Sequence, residues 1–220
     1  MSQVIDLSLK RKMFKNKKTS ILNDFSLTVN EGEKVAIMGK SGVGKTSLLN
    51  ILGLVDNEYE GSLKLFNETV DSFSESKRAA LRNENIGFVL QESSLIESLK
   101  VEKNIKLPLL YASKERRVKA EQYFDKISDE IGITSVLDHL PSECSGGQKA
   151  RVAFLRGIIM KPDIILSDEP TAFLDEKNKN IILDVLFDLN KQYNTTLITV
   201  THDEEVALRH DRVIYIENEV

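Results

Sequence analysis

Alternation of apolar and polar residues opens the chain. Val4-Ile5-Asp6-Leu7-Ser8-Leu9 and Phe25-Ser26-Leu27-Thr28-Val29 each alternate, which predicts two strands. The basic stretch between them, Lys10 to Lys18 around Met13 and Phe14, reads as a solvated hairpin loop. After the turn Asn30-Glu31-Gly32-Glu33 comes Val35-Ala36-Ile37-Met38, a short apolar run of the kind found in buried parallel strands. Gly39 to Gly44 is a glycine-rich loop, and Lys45 to Gly53 has Leu48, Leu49, Ile51 and Leu52 at helical spacing. Strand, glycine loop and helix in that order open a doubly wound α/β domain.

Further along, Ile86-Gly87-Phe88-Val89-Leu90 predicts another buried strand ending at Gln91. From about Glu92 to Met160 the pattern is mostly helical, with Tyr123, Phe124, Ile127 and Ile131 on one face, and its earlier part reads as a helical insertion. Two strongly apolar strands, Ile164-Ile165-Leu166 and Leu197-Ile198-Thr199-Val200, flank a helix around Ile181 to Leu189. In that helix Leu183, Leu186, Phe187 and Leu189 are expected on the buried side. Arg212-Val213-Ile214-Tyr215-Ile216 is a last strand.

Length and composition narrow the picture. The 220 residues make room for one domain, or one domain with an inserted subdomain. Apolar residues are 41% and charged residues 29%, a globular rather than a disordered balance. A net charge of −4 gives no electrostatic reason to expect nucleic-acid binding. The single cysteine excludes an intramolecular disulfide framework and fits a reducing compartment. No apolar run approaches the roughly 18 residues that span a bilayer. The N-terminus lacks the plan of a signal peptide. A cytoplasmic location is expected, with any membrane role exercised through a partner.

Three segments carry chemistry. Gly39-Lys40-Ser41-Gly42-Val43-Gly44-Lys45-Thr46 fits G-x-x-x-x-G-K-[ST], the phosphate-binding loop. Glycines let successive N–H groups converge on an anion, and the following helix points its positive end at the same place. Lys45 supplies a charge for β- and γ-phosphates and Thr46 a hydroxyl for Mg²⁺. In the second, Ile164 to Ser167 runs into Asp168-Glu169, placing two carboxylates at the end of a buried strand, the edge where open parallel sheets bind ligands. Alone, such a pair more often begins a surface loop. Beside a phosphate loop, Asp168 reads as a Mg²⁺ holder and Glu169 as a general base. The third is Cys144-Ser145-Gly146-Gly147-Gln148, where a hydroxyl and two glycines at a helix start suit a second phosphate site.

Together with Gln91 and His202, these motifs occur in the order and spacing of an ABC-transporter ATPase subunit, which the chain resembles over nearly its whole length. The resemblance implies an α/β fold: a P-loop NTPase (ABC ATPase) core with an N-terminal antiparallel β subdomain and an inserted α-helical subdomain. It places the ATP-binding core at residues 1–91 and about 160–220, and the helical subdomain with the signature motif at about 92–159.

The roles it implies are specific. Nucleotide would be held by Phe14, where the family has an aromatic residue on adenine, and by Gly39, Lys40, Ser41, Gly42, Val43, Gly44, Lys45, Thr46 and Ser47. Mg²⁺ would be held by Thr46 and Gln91 with Asp168 behind. Catalysis would rest on Glu169 polarising water, His202 at the γ-phosphate and Lys45. Ser145, Gly146, Gly147 and Gln148 would act in trans on a partner's ATP, and Asp175 would lie in the loop coupling the two sites. A lone His after an apolar strand is often structural, but Thr201-His202-Asp203 matches the family's switch position, whereas His139 and His210 read as ordinary surface residues. Cys144 stands where the family usually has Leu and reads as a small, semi-buried apolar residue.

Asn85 to Gln91, Ser94-Leu95-Ile96, Val101 to Ile105 and Leu107 to Tyr111 resemble the MacB-like and lipoprotein-releasing (LolD-like) group. The implied cofactors are ATP and Mg²⁺. The implied partners are an integral-membrane permease and a second copy forming an ATP-sandwich homodimer, with no nucleic acid. Leu95, Ile96 and Leu99 suit a permease groove or, equally, ordinary helical packing. The expected role is to power export or mechanotransmission on the inner face of the membrane, as a stand-alone subunit with a separately encoded permease. A permease-coupled ATPase with a regulatory role in cell division or sensing is the alternative. A nucleic-acid-directed ABC ATPase expects tandem cassettes or a coiled-coil insertion, and a phosphate-loop kinase has no use for Ser145 to Gln148 or His202.

Overall fold

The computed structural model describes residues 2–13, 20–91 and 93–216. The chain begins with β1 (Gln3–Met13) and β2 (Ser20–Asn30), which pair antiparallel, followed by β3 (Lys34–Gly39) and α1 (Lys45–Leu52). It continues through β4 (Glu60–Leu65), β5 (Glu68–Thr69), α2 (Glu75–Glu84) and β6 (Ile86–Val89). Then come α3 (Val101–Ile105), α4 (Lys114–Glu130) and α5 (Gly146–Ile158). The last part holds β7 (Ile164–Asp168), α6 (Glu176–Tyr193), β8 (Thr196–Val200), α7 (Glu204–Leu208) and β9 (Arg212–Ile216).

The described residues form two sheets. One is antiparallel in the order β2-β1-β4-β5, and the other is parallel in the order β6-β7-β8-β3-β9. Every residue of β7 and β8 is buried, as expected of strands covered on both faces. Between the two sheets and α1 lies one apolar core, which includes Ile5, Leu7, Leu48, Leu63 and Leu166. A second core joins α3, α4, α5 and α6 to the other face of the parallel sheet, around Phe124, Phe154, Ile165, Leu186 and Leu197.

The basic stretch departs from the loop expected of it. β1 runs through Lys10 to Met13, with Arg11 opposite Asn23 and Lys12 opposite Leu22. Lys12 turns inward and is tolerated there because Asp56 meets its ammonium at 2.7 Å and the Glu58 carbonyl accepts from it at 2.6 Å. Phe14 and the rest of that stretch to Lys18 lie outside the described residues.

β4, β5 and α2 have weak sequence signals. In β4 only Leu63 and Leu65 are buried, and α2 buries no residue fully, so neither shows a clear apolar stripe. Local chemistry still sets the start of α2, where the Ser74 hydroxyl accepts from the Lys77 amide. In α6, Leu183, Leu186 and Leu189 are buried as the pattern predicts, whereas Phe187 is only half-buried.

Candidate functional site

β3 delivers the chain to the glycine loop at the end of the parallel sheet. Gly39 lies beside Ile216 of β9, and a Cβ there would come within 2.5 Å of the Ile216 carbonyl oxygen. Gly42 and Gly44 take φ values of 80° and 104°, which side-chain-bearing residues rarely adopt. Gly44 is the N-cap of α1 and offers no side chain to cap it, and the first turn holds no acidic residue. The helix therefore presents its free N–H groups and positive end to the loop, the arrangement that binds phosphate.

Within the loop, the Lys45 ammonium donates to the carbonyls of Gly39 at 2.7 Å and Lys40 at 3.0 Å. Ser41, Gly42, Gly44, Lys45, Thr46 and Ser47 face a cavity of about 390 Å³. The Val43 side chain is buried in the core beneath, leaving only its main chain to meet a ligand. Lys40 is exposed, and its side chain takes no part in the lining.

The carboxylates lie across the same cavity, which Gln91, Asp168, Glu169 and His202 also line. Thr46 donates its hydroxyl to Asp168 Oδ2 at 2.6 Å, tying the start of α1 to the end of β7. Thr46, Asp168 and Gln91 together supply a hydroxyl, a carboxylate and an amide oxygen. This hard, incomplete donor set suits Mg²⁺ whose remaining positions are filled by phosphate and water.

Glu169 adopts a left-handed φ of 49°, uncommon for a residue with a side chain. Its Oε1 lies 2.8 Å from His202 Nδ1, and its Oε2 accepts from the Thr201 hydroxyl at 3.3 Å. The Glu169 side chain is only 13% exposed whereas that of His202 is 76% exposed. Thr201 is a part of this site that its sequence position barely signals, since it stands simply as the residue before His202. Just beyond, Asp203 caps α7 by accepting from the Glu205 and Val206 amides, and it pairs with the Lys179 ammonium of α6 at 2.6 Å.

The structure does not bring the signature segment to this cavity within one chain. Ser145 caps α5, its hydroxyl accepting from the Gln148 amide at 3.3 Å while Gln148 Oε1 accepts from the Ser145 amide at 2.8 Å. Ser145 and Gly146 are exposed and lie outside the cavity lining. Gly147 sits near the backbone of Phe173, so this helix start neighbours the loop leading to Asp175. Asp175 caps α6, and the bonds from the Asn178 amide groups hold its carboxyl below the usual carboxylate range. Cys144 is half-buried against the helical core, and burial pushes its thiol up, as suits a packing residue rather than a nucleophile.

His210 is not the surface residue expected. It is half-buried, with Nδ1 2.9 Å from the Val206 carbonyl, Nε2 2.9 Å from Thr199 Oγ1, and its ring edge-on to Phe187 at 5.5 Å. Groups on β8, α6 and α7 close around it, which its place in the sequence does not reveal. Burial holds its pKa below the ordinary imidazole range. The unfolded chain then takes up this proton more readily than the folded one as pH falls through about 6.5. Its contribution to stability is complete above that pH and declines below it. Urea unfolding at pH 7.5 and 5.5 is expected to show a smaller acid loss in His210→Gln than in the parent.

A glycine-lined anion cradle with a lysine, facing two carboxylates at the end of a parallel strand, defines a phosphate-loop nucleoside triphosphatase. The sequence pattern described as "ABC transporter" matches residues 22–172. The lipoprotein-releasing system ATP-binding protein LolD of Psychrobacter arcticus is 38% identical, over 91% of this chain and 88% of its own. The bacitracin export ATP-binding protein BceA of Halalkalibacterium halodurans is 39% identical, over 91% of this chain and 79% of its own. The dimeric post-hydrolysis structure of the ATP-binding cassette MJ0796, bound to ADP and Pi, superposes with a TM-score of 0.87 at 34% identity. That match covers 97% of this chain and 94% of the other. The chain belongs to the ABC transporter family and is one of its ATP-binding, ATP-hydrolysing subunits. No helix among the described residues is long and apolar enough to cross a membrane.

Proposed function

We propose that two copies of this chain enclose two MgATP molecules and use their hydrolysis to drive a membrane permease at the inner face of the cell membrane. The substrate class is peptide, bacteriocin, antimicrobial or lipoprotein, by analogy with the relatives named for bacitracin export and lipoprotein release. One observation carries the reading: Glu169, braced by Thr201 and His202, faces the glycine loop across one cavity, while Ser145 opens α5 outside it. A site divided in this way is completed by a second copy related by two-fold symmetry.

The loop amides and the start of α1 take the phosphates. Lys45 exchanges its two carbonyl partners for phosphate oxygens, replacing neutral acceptors by charged ones. Thr46, Gln91 and Asp168 would hold Mg²⁺, which would neutralise charge on the phosphates. Glu169 accepts a proton from the attacking water as the new oxygen–phosphorus bond forms and the bond to ADP breaks. His202 holds Glu169 and reaches the γ-phosphate, and Ser145 and Gly147 of the second copy hold that phosphate from the other side. Of Leu95, Ile96 and Leu99, just beyond Gln91, Leu95 packs against the helical core, and Ile96, 45% exposed, offers the permease contact.

The test is affinity capture of the tagged chain from detergent-solubilised native membranes. A stoichiometric integral-membrane protein is the expected companion. Recovery of the chain from the soluble fraction alone, with no membrane protein, overturns the transport role and leaves the ATPase chemistry standing.

A further inference from the structure

We infer that His210 is a positioning residue for ATP hydrolysis, acting through Thr199 and Ser167 on the strand ends that present Asp168, Glu169 and Thr201. The inference rests on the reading of Glu169 as the base. It starts from strand register. Ile165 pairs with Leu197 and Ser167 with Thr199; just past the last strand pair, Asp168 with Val200, the Thr201 hydroxyl meets the Glu169 carboxylate. The first of these rungs is apolar core. The second is polar, lies fully inside the protein, and directly precedes the last strand pair, Asp168 with Val200, beyond which Glu169 and Thr201 meet.

Buried hydroxyls at that rung cost stability unless they are satisfied. Here they are satisfied as a set. Ser167 Oγ lies 3.0 Å from Thr199 Oγ1 and 3.3 Å from the Ile198 carbonyl, and Thr199 Oγ1 lies 2.9 Å from His210 Nε2. His210 Nδ1 faces the Val206 carbonyl, which has no proton to give, so Nδ1 carries the hydrogen. In the neutral ring Nε2 is then an acceptor. Thr199 donates to it, and Ser167 donates to Thr199.

Protonation reverses the chain. Nε2–H donates to Thr199, Thr199 donates to Ser167, and Ser167 is left with the Ile198 carbonyl at the longer 3.3 Å. The change is delivered to the residue before Asp168. The charged groups around His210 already have partners. Lys34 of β3 pairs with Asp211 at 2.7 Å. Arg209, after α7, pairs with Asp184 of α6 at 2.8 Å and covers the Phe187 ring. Lys179 of α6 pairs with Asp203 at 2.6 Å. Among the described residues no carboxylate hydrogen-bonds His210, so the neutral ring is the form that burial favours, with Asp211 pulling the other way.

Steady-state MgATP hydrolysis by the full chain from pH 5.5 to 8.5 tests the chain of bonds. Ser167→Ala and Thr199→Val are each expected to lower kcat about three- to tenfold, the worth of one internal hydrogen bond, with KM for ATP within about twofold. Both should also flatten the fall in kcat that the parent shows as His210 is protonated. His210→Gln, whose amide can still accept from Thr199, should retain more activity than His210→Ala. If Thr199→Val does not fold, Ser167→Ala, which removes one oxygen at the far end, decides the matter alone. Parental kcat and pH profile in the foldable variants, with only the melting temperature lowered, would mean that the chain is purely structural and the inference wrong. Glu169→Gln run alongside separates the two failures, since turnover retained there discredits the assignment of the base itself.

Discussion

Glu169→Gln is expected to slow ATP hydrolysis by about 10²- to 10⁴-fold, the usual worth of a general base, while ATP binding persists. The substitution is a narrow one. Glu169 is braced on both oxygens, by His202 at 2.8 Å and the Thr201 hydroxyl at 3.3 Å. An amide of the same shape can accept from Thr201 with its oxygen and donate to His202 Nδ1 with its nitrogen. The left-handed backbone at Glu169 and the Glu169 amide bond to the Val200 carbonyl at 2.9 Å need no side-chain charge. Geometry is kept, and the proton acceptor is lost. ATP-bound dimers should therefore accumulate, visible as a doubled mass in size-exclusion chromatography with light scattering at millimolar MgATP. Turnover within about tenfold of the parent would remove Glu169 from the catalytic step.

Lys45→Ala acts earlier. Charged hydrogen bonds are worth about 1.5–3 kcal/mol, so ATP affinity is expected to fall about 10- to 100-fold, with hydrolysis falling at least as far. Isothermal titration with a non-hydrolysable ATP analogue reads the first effect without the second. The same ammonium holds the Gly39 and Lys40 carbonyls, which keeps it poised over the loop before nucleotide arrives. The loop is partly open to water, so those carbonyls can be solvated when the lysine is gone. Thermal stability should change little without nucleotide. The nucleotide-dependent rise in melting temperature should shrink with the affinity. An unchanged affinity would mean that the cradle's amides alone account for binding.

Much of this site can be read in one dimension because its chemistry is carried by residue type at short spacing. Gly42 and Gly44 are needed for backbone angles, and Lys45 and Thr46 follow directly on the same turn. Asp168 and Glu169 end an apolar run, so the strand and its carboxylates announce one another. The Ser145 helix start carries its own reciprocal cap with Gln148. What stays hidden depends on strand alignment. Thr201 meets Glu169 across 32 residues, and Ser167 meets Thr199 across the same gap, pairings that only the order β7-β8 creates. His210 looks like a surface residue until groups on β8, α6 and α7 close around it. Lys12 looks solvated until Asp56 comes to meet it. The polar helix α2 has no apolar stripe to betray it, since it covers the sheet edge without burying a residue fully.

The pairing of Lys179 with Asp203 has a mechanical consequence. Lys179 lies one turn into α6, just past the Asp175 cap, and its ammonium reaches over to the residue that follows His202. Asp203 is also the cap of α7, so one carboxylate fastens two helices and the turn between β8 and α7. Lys179 holds that carboxyl below the usual carboxylate range, and the fastening therefore stays charged well into mild acid. A displacement of the front of α6 would reach the turn bearing His202 through this one ion pair, which ties the Asp175 end of α6 to the start of α7.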